Sequence, residues 1–443
     1  MGIHYMRVAR DQEIGGERFA LVVETRHDHG IIARTAVHRQ DMARRIGGVR
    51  FVVEGDTQEL GHLSSTMTLK CLASRLPADG QKSLIICPQG IPKTNHERAA
   101  ILAEHFRVVI AEDAGVIFGP DMNNPEAVMD LVAQDEDLLD HVTGLSESNG
   151  GIAIDKNGYT AYGLWYAVDT ARARTARPLE SATIQGWGAV GANAGRLLHT
   201  HGIAVVGAST CRGAITASNG AGLDVDALYD AWLRVGDECV FAGNLQSNGY
   251  RIHTDPDVLF TVPAQLFVPA ARPSVLAMPD ELAEVRVENP TVHDVTAFHR
   301  ATGLAMVAEG ANHPLTPRAE MYLEEQSVVV LPDYIVNCGG LIGCFFEWAY
   351  RRALFATPVL RSTIDTAARG YVCDVVRHNV QMLGQATQGA RAAADRIVSA
   401  NRDWLRVAMA SHANLEEHEM ARTLLAGGAD TGQDQARGAL LCA

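Results

Sequence analysis

Residues 181–210, SATIQGWGAVGANAGRLLHTHGIAVVGAST, constrain the fold more than any other stretch of the chain. Ala182–Gln185 reads as a short strand. Gly186-Trp187-Gly188-Ala189-Val190-Gly191 is a G-x-G-x-x-G turn. Ala192–Thr200 reads as a helix stopped by Gly202, and Ile203–Ala208 as a second strand. In such a unit the first glycine makes the tight turn and the second lets backbone approach a pyrophosphate. The third permits close helix–strand packing, with the anion at the helix N-terminus. A lone G-x-G-x-x-G means little, but here the strand before it and the helix and strand after it are all in place. The stretch therefore predicts a dinucleotide-binding βαβ unit. Gly186, Gly188, Ala189, Val190 and Gly191 are its candidate cofactor contacts.

An acid at the end of the second strand would take the adenosine ribose hydroxyls of NAD. This strand ends in Ser209-Thr210, followed by Cys211-Arg212, and no acid follows before Asp224. A small hydroxyl residue beside an arginine suits a 2′-phosphate. Thr210 and Arg212 thus point to NADP, with NAD as the other choice if an acid arrives from elsewhere.

Composition narrows the partners. Acidic residues outnumber basic ones, 52 to 38, for a net charge of −14. That excludes broad binding to nucleic-acid backbone, which needs clustered Lys and Arg. The eight cysteines, Cys71, Cys87, Cys211, Cys239, Cys338, Cys344, Cys373 and Cys442, are scattered without a CxxC pair. They read as free thiols of a reducing compartment. The N-terminus lacks an apolar signal core, and no apolar run reaches the roughly 20 residues of a membrane span. The expectation is a cytoplasmic protein with a small-molecule substrate, no membrane partner and no metal.

Upstream of the fingerprint, 18–25 and 31–37 read as a hairpin, with His27 and His29 as solvated turn residues. Residues 58–76 read as a helix with Leu60, Leu63, Met67 and Cys71 on one stripe. Lys70 points to that same side. A lysine there either lines a cavity or meets an acid, or else snorkels at the stripe's edge. In LPADGQKSLI, Ala78–Gln81 reads as a turn and Ser83–Cys87 as a buried strand. Lys82 is then either a surface lysine or one held in a cleft. Residues 97–104 read as a helix and 107–111 as a strand. Asn124-Pro125-Glu126 reads as a helix start, with Asn124 as N-cap and Asp121 just before it. Residues 159–178 read as a long helix, and 357–425 as helix-rich.

Several segments fall in one order: IGGVRF, TMTLKCLASRLPADGQKSLI, GPDMNNPEAVMD, VTGLSESNGG, TAYGLWYAV, GWGAVG, AEGANHPLTPRA and VLPDYIVNCGGLIGCFFEW. With them the chain resembles the glutamate/leucine/phenylalanine/valine dehydrogenase family from about residue 18 to about residue 350. The hairpin and TAYG look closer to its leucine/phenylalanine branch. The resemblance implies an α/β protein of two domains, an N-terminal substrate domain and a Rossmann domain, with a cleft between. It implies reversible oxidative deamination of an L-amino acid to a 2-oxo acid and ammonia, with NAD or NADP, in a homo-oligomer.

Carried over by residue, the resemblance makes Lys82 and Asp121 catalytic and puts Lys70 on the substrate α-carboxylate. Asn312 and Asn337 lie at nicotinamide and substrate, and Thr160 at the carboxamide side. A base lysine needs a pKa near neutrality, and Lys70 would be the second cation that lowers it. The domain expectation is 1–165 for substrate and oligomerisation and 166–345 for cofactor. Helices 346–425 then pack back on the first domain, and 426–443 form a flexible tail.

Two departures stand out: the missing ribose acid, and a loop reading DGQKSL where the family is richer in glycine. Asp79 and Ser83 there leave a non-catalytic NAD(P)-binding paralogue, a sensor or scaffold, as one alternative, and the same fold acting on an unusual amino acid in specialised metabolism as the other. Glutamate enzymes of the family place a lysine before the first GG, and a serine late in the NxGG segment. This chain has Ile46 and Cys344 there, with Leu145 after Thr143-Gly144. The expectation is an apolar or aromatic amino acid.

Overall fold

The protein is described from a computed structural model covering residues 2–218, 222–246, 250–351, 354, 358–386, 389–412 and 417–427. It forms two compact units. The first takes the described residues of 1–157, 341–371 and 398–443, the second those of 158–340 and 372–397. The first boundary falls at Gly158, whose φ of 68° starts the helix Tyr159–Ala171. Residues 372–397 thus group with the second unit, whereas 346–425 is expected to pack on the first. Arg391, half-buried and paired with the second-unit carboxylates Glu309, Glu320 and Asp333, is one physical reason. The expected tail lies mostly outside the described residues, as does Cys442.

Among the described residues the first unit has six strands: β1 (Ile3–Ile14), β2 (Glu17–His27), β3 (Ile32–Val37), β4 (Arg44–Val52), β5 (Ala78–Ile86) and β6 (Val116–Gly119). They form one sheet in the order β1-β2-β3-β5-β4-β6. β1, β2, β3 and β5 are antiparallel neighbours, while β4 runs parallel to β5 and β6. Alternation decides what each face carries. Val49, Phe51 and Ile85 join a core with Ile101, Leu102, Phe106 and Val109 of helix Asn95–Glu112. The opposite face packs Leu84 and Ile86 with Leu60 of helix Thr57–Ala73.

Two elements differ from expectation. Ala78–Gln81 is not a turn: β5 begins at Ala78, and all nine of its residues are buried. The strand can start early because Gly80 lies against the helix backbone. A Cβ on Gly80 would stand 2.2 Å from Thr68 N and 2.4 Å from Ser64 O. Nor is 107–111 a strand. Helix Asn95–Glu112 runs through it, anchored by a capping box of Thr94 and Glu97.

The second unit holds β7 (Ser181–Gln185), β8 (Ala204–Thr210), β9 (Gly213–Thr216), β10 (Arg251–His253), β11 (Leu266–Pro269), β12 (Leu276–Ala277), β13 (His293–Asp294), β14 (Met306–Ala308) and β15 (Val329–Leu331). Its main sheet runs β10-β9-β8-β7-β11-β14-β15, and β12 pairs with β13. β8, β7, β11, β14 and β15 are parallel, with β9 and β10 antiparallel at one edge. This is the doubly wound arrangement that the βαβ stretch predicts. No helix among the described residues is long and apolar enough to cross a membrane.

Candidate active site

On the first unit, Ile46, Gly48 and Arg50 alternate along one face of β4, and Lys82 lies on that face of β5. Lys82 is 5% exposed, and its ammonium pairs with the Asp121 carboxylate. Asp121 stands just after β6, where its backbone pairs with Asn124. Helix Glu126–Val132 follows with Pro125, not Asn124, as its N-cap. Gly48 makes the meeting of Lys82 and Asp121 possible. A Cβ there would lie 2.9 Å from Asp121 Cβ and 3.1 Å from Lys82 Nζ.

Burial pushes the Lys82 ammonium below its ordinary pKa. Asp121 acts against that shift, and Arg50 acts with it. Burial alone would raise the Asp121 carboxyl, but Lys82 and Arg50 outweigh it and hold the group well below the usual carboxylate range. Arg50 Nε lies 3.5 Å from Asp121 Oδ2, and Arg50 Nη1 lies 3.6 Å from Glu59. The cation that weighs most on Lys82 is therefore Arg50 and not Lys70. The signal for Arg50 was present, because it sits two residues beyond Gly48 on an alternating strand. Lys70 is buried in the last turn of its helix, and its charge bears on Cys71 beside Asp79.

The two departures in DGQKSL have structural partners. Asp79 Oδ2 accepts from Met42 N at 2.8 Å. Ser83 Oγ is 2.7 Å from Thr35 Oγ1, on the face opposite Lys82. From Thr35 the contacts continue to His105 Nε2 at 2.9 Å, and from His105 Nδ1 to Thr25 at 2.7 Å. Thr25 also meets His27 Nε2 at 2.9 Å, and His27 Nδ1 lies 3.2 Å from Glu104. His27 is thus buried in β2 and is no solvated turn residue; His29 is exposed at a φ of 59°. No group of residues among those described could hold a metal.

Beside this pair lie the residues marked for the substrate side chain. Ile46 and Leu145 are both 1% exposed. A Cβ on Gly119 would lie 3.6 Å from Thr143 Cγ2 and 3.8 Å from Cys344 Sγ. Thr143 Oγ1 donates to Cys344 O at 2.7 Å. Burial raises the Cys344 thiol far above its ordinary pKa, and Glu347, Asp155 and Glu126 raise it further. Glu347 accepts from Leu145 N and Ile152 N. Glu126 is pushed up to about 7 by burial, then by Asp155 and Glu347. Sequence reading missed this surrounding set of acids: Glu126 and Asp155 come from far along the chain, whereas Glu347, three residues beyond Cys344 on the same helix, could have been found from that spacing.

On the second unit the G-x-G-x-x-G turn follows β7. Gly186 has a φ of 91°, which few other residues tolerate, and both Gly186 N and Trp187 N donate to Ser209 O. A Cβ on Gly191 would sit 2.0 Å from Gly186 O, so only glycine allows the helix this close. Gly188 N-caps helix Ala189–Thr200 without a side-chain cap bond, and nothing lies within 4 Å of its Cβ position. Open space above bare helix N–H groups fits a pyrophosphate. Ala189 and Val190 are half-buried in the first turn.

Asn337 Nδ2 donates to Gly310 O at 3.2 Å, Ala311 O at 3.3 Å and Asn312 Oδ1 at 3.2 Å. Asn337 Oδ1 is buried without a hydrogen-bond partner. A Cβ on Gly339 would lie 3.2 Å from Thr160 N. Thr160, Asn312 and Asn337 therefore belong to one neighbourhood. At the far end of the turn, Thr210 Oγ1 donates to Asp237 O at 2.8 Å, and Arg212 pairs with Glu238 at 2.7 Å.

Comparisons with known proteins give the family. Residues 150–403 match the family model described as glutamate/leucine/phenylalanine/valine dehydrogenase. Residues 17–136 match that family's dimerisation domain. The chain belongs to this family. It is an amino acid dehydrogenase that works with NAD or NADP. A relative from Staphylococcus aureus, named an NAD-specific glutamate dehydrogenase, is 29% identical over 325 residues, 71% of each chain. One from Halobacterium salinarum, named an NADP-specific glutamate dehydrogenase, is 30% identical over 319 residues, 70% of each. A solved hetero-hexameric glutamate dehydrogenase from Thermus thermophilus shares the fold, with a TM-score of 0.68 at 22% identity, covering 90% of this chain and 89% of that one. The comparisons do not separate the branches of the family.

Proposed function

We propose that the protein catalyses reversible oxidative deamination of an L-amino acid with an apolar or aromatic side chain. The reaction consumes the amino acid, NAD(P)⁺ and water, and yields the 2-oxo acid, ammonia and NAD(P)H with a proton. The bound nicotinamide supplies the hydride acceptor. Every other role falls to this chain's residues. Lys70 holds the substrate α-carboxylate. Asp121, kept ionised by Lys82 and Arg50, accepts from the substrate's amino N–H. Lys82, with its ammonium destabilised by burial, takes the proton from the water that attacks the iminium carbon. Gly186, Gly188 and Gly191 with the first turn of helix Ala189–Thr200 hold the pyrophosphate, and Thr160, Asn312 and Asn337 face nicotinamide and substrate. Coenzyme choice aside, the assembly is a homo-oligomer built on the dimerisation segment.

One observation carries the substrate class. Glutamate, named for the relatives, would bring its γ-carboxylate to the neighbourhood of Ile46 and Cys344. There the groups acting on Cys344 are the carboxyls of Glu347, Asp155 and Glu126, and the buried cation beside them, Arg351, is already engaged by Glu347 at 3.8 Å and by the Leu139 and Val142 carbonyls. A second anion without a cation is expensive to bury, by several kcal/mol. The buried Lys82–Asp121 pair also favours an enzyme over a sensor, since a buried lysine with its pKa shifted beside a carboxylate is typical of functional sites.

The test is coenzyme reduction with a panel of amino acids. Leucine, valine, methionine or phenylalanine should exceed glutamate in kcat/KM by at least about a hundredfold, the effect of an unpaired buried charge. Glutamate as the best substrate would overturn the assignment. Binding of coenzyme with no turnover on any amino acid or oxo acid would favour the non-catalytic paralogue.

A further inference from the structure

The end of β8 lacks an acid, yet the fold brings two acids to it. Residues 236–241 form a short turn of helix, and its Cys239 and Val240 are fully buried, so the turn is fixed to the unit's core. Thr210, the last residue of β8, ties to it by donating to Asp237 O at 2.8 Å. Cys211 Sγ lies 3.3 Å from Asp237 Oδ2. Arg212 Nε donates to Glu238 Oε1 at 2.7 Å. Asp237 and Glu238 thus occupy the mouth of the strand end where a Rossmann unit receives the adenosine ribose.

We propose that Asp237 and Glu238 select NAD over NADP. The proposal rests on the reading of the Gly186–Gly191 turn as the dinucleotide site. It reverses what the local sequence suggests. Thr210 and Arg212 looked ready for a 2′-phosphate, but Thr210 spends its hydroxyl on the turn and Arg212 is paired with Glu238. A ribose hydroxyl can donate to a carboxylate at this position. A 2′-phosphate, carrying close to two negative charges, would meet two carboxylates and a guanidinium already engaged. The acids are exposed, so solvent weakens the discrimination without cancelling it.

The experiment is titration of the full-length protein with NADH and with NADPH, followed by calorimetry or coenzyme fluorescence and needing no turnover. NADH should bind about tenfold tighter than NADPH at low ionic strength, a gap that narrows with salt. A double variant, Asp237→Ser with Glu238→Gln, should bring the two within about threefold, mainly by tightening NADPH. Single Glu238→Gln should move part of the way, because it releases Arg212. Equal or tighter NADPH binding by the unaltered protein would overturn the proposal. So would a double variant, folded by circular dichroism, that keeps the original ratio. Failure to bind either coenzyme would instead sink the reading of the glycine turn, and this proposal with it.

Discussion

Replacing Gly48 by alanine tests whether Lys82 and Asp121 must meet as they do. The new Cβ would stand 2.9 Å from Asp121 Cβ, 3.0 Å from Pro120 O and 3.1 Å from Lys82 Nζ. Ordinary contact begins near 3.4 Å. Lys82 Nζ ends a flexible chain and can swing aside. Asp121 Cβ and Pro120 O are fixed to backbone, so β6 and the pair must separate by about 0.5 Å. A misplacement of about 1 Å can cost a hundredfold in rate, so kcat should fall roughly ten- to hundredfold, about 1.4–2.7 kcal/mol. Overpacking costs about 1–3 kcal/mol of stability, so the variant should fold and melt a few degrees lower. The assay is steady-state coenzyme reduction with the best amino acid, beside coenzyme binding, which should not change. Gly47→Ala is the contrasting control. Its Cβ would fall 1.7 Å from Gln81 O, a backbone atom that cannot yield, so that variant should fail to fold. A folded Gly48→Ala protein with kcat within twofold of the parent would refute the reasoning.

Other consequences concern the frame around the site. Arg391 pairs with Glu309, Glu320 and Asp333, of which Glu309 and Asp333 are fully buried. Arg391→Met leaves these carboxylates without their cation. That should cost about 3–5 kcal/mol and lower the melting temperature by roughly 10 °C, seen by calorimetry; a change under a degree would contradict it. His105 is fully buried and neutral, with its pKa pushed down to about 3 by burial. The unfolded chain takes up a proton below pH 6.5 that the folded chain refuses, so stability is full above that pH and falls between 6.5 and 3. A folded His105→Gln variant should therefore show a shallower acid loss, by about 1.4 kcal/mol per pH unit, in urea midpoints taken between pH 6 and 4. An unchanged slope would count against it.

The residues that carry local geometry were legible in the sequence. The glycines at 186, 188 and 191 fix one turn, and their reasons are local: a positive φ, an open cap, a close approach. Asp121 and Lys82 could be picked out only through the ordered run of family motifs, because taken alone they read as an acid before a helix start and a lysine on a turn. What failed was reading DGQKSL as loop. Polar composition suggests exposure, but Asp79, Gln81 and Ser83 find partners in Met42, in Gly47 O and Ile117 O, and in Thr35. Those partners are distant in sequence, so no local pattern announces them. The same holds for His27, whose Nδ1 meets Glu104, 77 residues further along the chain. The RVVI run of helix Asn95–Glu112 misled in the other direction, because β-branched residues suit a strand unless a capped helix is already under way. The acids at β8, and Glu126 and Asp155 around Cys344, arrive from elsewhere in the chain, and only the fold assembles them.

The most direct test of the central claim is the pH profile of kcat/KM for the parent and for Lys82→Met. A buried lysine base predicts that activity rises with pH through an apparent pKa below lysine's ordinary 10.5. Lys82→Met should lose at least about a thousandfold and lose that rise, while still binding coenzyme on the other unit. A Lys82→Met protein within tenfold of the parent, with the same pH profile, would contradict the account.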